Sequence, residues 1–179
     1  MLYAFGFGQI GVVVSDLYFV DPDPEPGQDS PERGVRLELR ILERGELKGS
    51  IYSARPVTID RPLWRVDLLE SVDSAPGSFD RTHHHPNFQG WNPGRRVFVK
   101  ELSADPLRWL TGKLSDVTAL LEEIGLSPDE IAPTDPAELH AAVPQIVDAV
   151  RRLLDGVWAG ELAVAPGDEP VSSARVSWL

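Results

Sequence analysis

The rhythm of apolar and polar positions changes once along the chain, and that change divides it into two halves. In the first half the spacing is that of strands. Gln9 to Val20 is an apolar run rich in Val, Tyr and Phe, which predicts a buried strand. Val35 to Leu42 alternates apolar and charged residues with period two, the pattern of a strand with one face on a core and one on solvent. Arg44-Gly45-Glu46 reads as a turn, and Leu47 to Arg55 as the returning strand of a hairpin. Pro56 and Pro62 interrupt the next stretch, so 56–62 reads as an edge or connection. Leu63 to Leu69 predicts another strand, with Trp64, Val66 and Leu68 on the core face and Arg65 and Asp67 on the opposite one. Arg96 to Leu102 predicts one more.

In the second half the period becomes helical. Asp105 is a good N-cap and Pro106 suits the first helical position. From Leu107 to Ile124 apolar residues recur at steps of three and four, a single stripe facing a sheet, and Gly125 closes the helix. A second helix is expected from about Asp135-Pro136, kinked or restarted at Pro144, with its stripe running from Ile146 to Val157. The pattern as a whole predicts an α+β fold, an antiparallel sheet of about five strands packed on one face by two C-terminal helices. It predicts a single domain over 1–179: 1–104 mainly β, 105–160 helical, and 161–179 a tail or last strand. An acidic, Pro-rich loop at 21–32, Asp21-Pro22-Asp23-Pro24-Glu25-Pro26-Gly27 and beyond, can form neither a ladder nor a helix interior.

Composition narrows the function classes. With 42% hydrophobic and 25% charged residues the chain is ordinary for a globular protein. There is no cysteine, which excludes disulfides, thiolate metal sites and cysteine nucleophiles and fits a reducing cytoplasm. No signal peptide or membrane span is expected, because no apolar stretch approaches the roughly 20 residues that a bilayer requires. The formal net charge of −11 argues against non-specific nucleic-acid binding. That charge is uneven. Residues 81–125 carry 6 basic and 5 acidic residues, whereas 1–80 carry 8 and 14, and 126–179 carry 3 and 9. The least acidic segment is the one that holds three of the four histidines, His83, His84 and His85.

In an extended segment His83 and His85 point to one face and His84 to the other. Two imidazoles on one face are the start of a metal site or an acid/base pair. If the strand of Arg65 and Asp67 is a neighbour, opposite side chains come within about 5 Å. Asp67 would then orient an imidazole, complete the shell of a divalent metal or act as a base, and Arg65 would hold an anion through its planar fork. The competing structural reading makes Arg65 and Asp67 a structural ion pair with near neighbours and the histidines surface loop residues packed on Phe79, Phe88 and Trp91.

Other templates fail. Gly6-Phe7-Gly8-Gln9-Ile10-Gly11 has glycines near a dinucleotide fingerprint but leads into a strand where that motif needs a helix. There is no P-loop and no Gly-x-Ser-x-Gly elbow.

The order of elements, an Arg-x-Asp strand (Arg65, Asp67), a His-x-His segment (His83, His85), a short strand and an amphipathic helix, resembles a family of small bacterial toxins of the TumE type over roughly residues 40 to 125. That resemblance implies a phosphodiester- or nucleotide-directed site built on these four residues. The acidic N-terminal segment and the second C-terminal helix depart from the family pattern. Three kinds of function are expected: a small hydrolase-like enzyme with a His/Asp/Arg site on an open sheet face, a non-enzymatic protein-binding or assembly module that meets a partner or a second copy of itself, or an acidic antitoxin- or immunity-like protein.

Overall fold

The computed structural model describes residues 1–22, 24, 29–127 and 130–166. Five strands, β1 (Leu2–Gly6), β2 (Ile10–Phe19), β3 (Glu32–Arg44), β4 (Val57–Ser71) and β5 (His83–His85), form one antiparallel meander in the order β1-β2-β3-β4-β5. Helices α1 (Lys100–Ala104), α2 (Pro106–Ser115), α3 (Val117–Glu123) and α4 (Asp135–Trp158) follow them among the described residues. The architecture is the α+β fold that the change of period predicts.

Alternation decides which face is which. Val12, Val14, Val35, Leu37, Leu39, Trp64 and Val66 are fully buried, and the register places them on one face of the sheet. α4 lies across β1 to β3 on this face, and α2 packs on α4. Leu110, Leu114, Leu139, Ile146 and Leu153 complete the core without solvent exposure. Asp135, at the start of α4, fixes that helix to the β1–β2 turn by accepting hydrogen bonds from the backbone N–H groups of Gly8, Gln9 and Ala132. A Cβ at Gly8 would lie 2.4 Å from the Ala132 Cβ, so the turn closes only on glycine.

The other face carries the charged half of the alternation, and it is ordered in rows. Ser15, Arg36, Asp67 and His83 are successive register partners, as are Val13, Glu38, Arg65 and His85. Gly34 separates these rows from Glu32. Its φ of +155° and the 2.0 Å that would divide a Cβ from the Leu68 carbonyl oxygen admit no side chain.

Four expectations change. The strand expected at Leu47 to Arg55 is not one. Gly49 has φ +96°, a turn joins Ser50 to Ser53, and Ile51 and Tyr52 are exposed. The true partner of β3 is β4, longer than its apolar core because Pro62 is accommodated opposite Arg40 between two register shifts. The strand expected at Arg96 to Leu102 shrinks to a bridge between Val97 and His84, and the chain turns helical at Lys100. The single helix expected after Asp105 is two, because Asp116 is a second N-cap, its side chain accepting from the Ala119 N–H as Asp105 does from Arg108. The apolar stripe continues across the break, so periodicity alone does not reveal it. α4 runs unbroken through Pro144. The tail strand expected at Ala174 to Leu179, and residues 23 and 25–28 of the acidic loop, lie outside the described residues. No helix among the described residues is long and apolar enough to cross a membrane.

Candidate functional site

The meander makes β4 and β5 neighbours, with Arg65 opposite His85, Val66 opposite His84 and Asp67 opposite His83. Asp67, His83 and His85 therefore share one face, and their ligand atoms all lie within 4.8 Å of one another. The Nε2 atoms of His83 and His85 stand 3.5 and 3.8 Å from Asp67 Oδ2. The two rings meet edge to face with centroids 5.0 Å apart. His84 turns to the helix side, where its ring meets Trp109 at 5.3 Å and Trp64 at 6.3 Å.

The partner of Asp67 is Arg36. Its guanidinium grips the carboxylate with two hydrogen bonds, Nε to Oδ1 at 2.7 Å and Nη2 to Oδ2 at 3.0 Å. Burial alone would raise the Asp67 carboxyl, but the charge of Arg36 and the adjacent His83 ring outweigh it and hold the group well below the usual carboxylate range. Burial pushes the His85 imidazole down to about 4. Asp67 opposes that shift, and His83, Arg65 and Arg36 add to it. His85 is thus a neutral imidazole at physiological pH. His83 Nδ1 lies 2.8 Å from the Arg81 carbonyl oxygen, which accepts its N–H. Nε2 then presents to Asp67 either a proton or a lone pair. An anionic carboxylate and two imidazoles brought together form an electron-rich site. The tie of His83 at its far nitrogen to a carbonyl is the usual support of a metal ligand, whereas His85 Nδ1 is buried with no hydrogen-bond partner among the described residues.

Arg65 faces the same way but is occupied elsewhere. Its guanidinium bonds Glu38 at 2.7 Å and lies over the Phe88 ring at 5.2 Å. Glu38 also takes Arg40. Glu32 is 2% exposed and is held by Arg96, which reaches on to Asp21 at the start of the acidic loop. Burial raises the Glu32 carboxyl above its ordinary value, with Arg96 and His83 opposing.

The expectation of an open face needs correction at the site itself. His83, His85 and Asp67 are 2%, 5% and 1% exposed. The segment 86–99 folds over them, setting Phe98 against His83 and Phe88 against His85. It is held at its ends by β5 and by the reciprocal hydrogen bonds of His84 and Val97. Phe88, an apolar residue in an otherwise polar loop, was the sequence signal for this cover, whereas Phe98 falls within the strand expected at Arg96 to Leu102. Arg36 was equally visible as a charged position on β3, but only the register connects it to Asp67.

A larger cleft of about 660 Å³ lies on the helix side, lined by Trp109, Lys113, Leu120 and Glu123. Lys113 already bridges it, pairing with Glu123 and lying over Trp109. It shares no residue with the Asp67 cluster.

A scan against protein-family models finds no match for the chain, and searches of curated proteins and of solved structures find none either.

Proposed function

We propose that the protein is a small metal-dependent hydrolytic enzyme whose centre is one divalent ion held by Asp67, His83 and His85. The observation that carries this reading is the convergence of three ligand atoms within 4.8 Å at a buried point. Two imidazoles and a carboxylate are the donor set that suits zinc and neighbouring transition ions. Three protein ligands leave coordination positions for water and a substrate oxygen, and a bound ion would make that water a nucleophile at neutral pH. Arg36 keeps Asp67 ionised and oriented, at the cost of a positive charge near the ion. Arg65 braces Glu38 and the Phe88 cover. The resemblance to TumE-type toxins supports a phosphate-ester substrate.

The test is metal analysis of untagged protein beside a His83→Ala, His85→Ala double variant. About one equivalent of a transition ion is expected in the first and none in the second. No ion in either, with zinc failing to raise the melting temperature of the wild type, removes the metal centre.

The near-complete burial of the cluster favours one second reading, a structural centre in a non-enzymatic binding module. In that case the ion binds and stabilises, yet no hydrolysis of phosphate esters depends on it. Substrate reaches the ion in the enzymatic reading only when the 86–99 segment moves, so the structural reading also predicts that loosening this segment yields no activity.

A further inference from the structure

The covering segment has a chemistry of its own. Residues 81–100 contain Arg81, Arg95, Arg96 and Lys100 and no Asp or Glu, in a chain with 28 acids. Within it lies a cavity of about 360 Å³ lined by Asn87, Gln89, Asn92, Gly94, Arg95 and Val97. Val97 is the residue hydrogen-bonded to His84, so the cavity adjoins the strand that carries the centre.

The arginines around the centre are committed to carboxylates: Arg36 to Asp67, Arg65 and Arg40 to Glu38, Arg33 to Glu70 and Arg96 to Glu32 and Asp21. Arg95 is exposed and makes no ion pair among the described residues. The carboxamides are also available. Asn92 uses its oxygen to accept the Gly94 N–H at 2.9 Å, and its amide N–H groups have no partner among the described residues. Asn87 and Gln89 have no side-chain hydrogen bond among the described residues. A fork of five donors beside three carboxamides is a binding set for an oxyanion.

A flat platform stands next to it. Gln89 and Asn92 exchange backbone hydrogen bonds of 2.9 and 3.1 Å, closing a two-residue turn with Gly90 at φ +62° and Trp91 beside it. The Trp91 ring has the Arg40 guanidinium over it at 5.5 Å and remains 64% exposed. A large, backed and exposed indole costs apolar contact with water unless a ring stacks on it.

We propose that the turn and cavity of 87–97 form a ligand subsite for a phosphate ester of a planar ring, with Arg95 and the carboxamides holding the phosphate and Trp91 the ring. This rests on the hydrolytic reading for its purpose, since it would hand a phosphate ester to the neighbouring centre, but not for its existence. The overall charge of −11 repels phosphates at large, which makes this locally acid-free segment the place where one can be held.

The test titrates the full chain with inorganic phosphate and with adenosine monophosphate by calorimetry, in the presence of a chelator so that no ion contributes. Both Arg95 and Trp91 are exposed, so their replacement should leave the fold intact. Arg95→Ala should weaken both probes about tenfold or more, the loss of a charged hydrogen-bond partner. Trp91→Ala should weaken adenosine monophosphate and leave inorganic phosphate unchanged. Arg108→Ala, an exposed arginine away from the cavity, serves as the control. Absence of saturable binding by either probe, or an Arg95→Ala effect no larger than that of Arg108→Ala, overturns the subsite. Arg95-dependent binding by a chain that proves to hold no metal would keep the subsite and remove the metal centre instead.

Discussion

Asp67 shows what a single residue contributes here. At 1% exposure its carboxylate would be costly if left alone, and the two-pronged contact with Arg36 is what makes it tenable. Removing the partner leaves a buried charge. Arg36→Gln should therefore destabilise the protein by about 3 kcal/mol in urea unfolding, the low end for a broken buried pair because Arg36 keeps 27% of its side chain in solvent. Arg65→Gln removes a charge from the same face at a greater distance from Asp67. It should cost less, because Glu38 retains Arg40. If the two variants prove equal, the privileged role of Arg36 is wrong. The sequence showed both arginines as polar positions on strands. It did not show which carboxylate each would meet, because that depends on a register set by the core face and by Gly34.

The elements were legible where one local signal decides them and obscure where two compete. Asp105 was readable as a cap because Pro106 comes directly after it. Asp116 was hidden by an apolar stripe that runs on through both helices. Each cap accepts one backbone N–H, so Asp105→Ala and Asp116→Ala should each cost about 1 kcal/mol and lower the melting temperature. The β4–β5 connection depends on Asp80, which accepts hydrogen bonds from the Ser71 N–H and from the hydroxyls of Ser74 and Ser78. Burial alone would raise this carboxyl, but these donors and Arg81 hold it below its ordinary value. A carboxyl depressed in the folded state contributes stability above its unfolded pKa of about 3.9 and loses it as pH falls through the lower folded value. Asp80→Ala should thus destabilise by about 1–2 kcal/mol at pH 6. The gap between variant and wild type should close on acidification below about pH 4. A gap that persists unchanged at pH 2 would locate the effect in packing instead. The hairpin partner expected at Leu47 to Arg55 fails for a plain reason: it sets only Leu47, Ile51 and Tyr52 as large apolar residues beside Gly49 and two serines, whereas Leu63, Trp64, Val66 and Leu68 beyond Pro62 are buried in the core.

At the scale of the whole molecule the sheet separates two chemistries, a dry helix side and a charged side closed by 86–99. β5 joins them, its outer histidines turned to the charged side and His84 to the core. An ion bound only by the folded state stabilises it by mass action, about 2.7 kcal/mol at a hundredfold excess over Kd. For a chain of this length that is a rise of roughly 5–10 °C in melting temperature. Zinc should produce such a rise in the wild type and none in the His83→Ala, His85→Ala variant, as read by scanning calorimetry with and without chelator.

What the sequence determined by itself was the class of the fold, its single change of period, and the division of β4 and the histidine segment into opposite faces. All of these arise from periodicities of two and 3.6, which are properties of the local backbone. Tertiary structure alone decided that β4 and β5 are neighbours in a register that sets Asp67 against His83, that Arg36 is the guanidinium holding Asp67, and that an aromatic segment closes over the cluster. Those facts depend on contacts between residues distant in sequence, whose free energy is set by the burial and charge pairing of the assembled sheet rather than by any local preference.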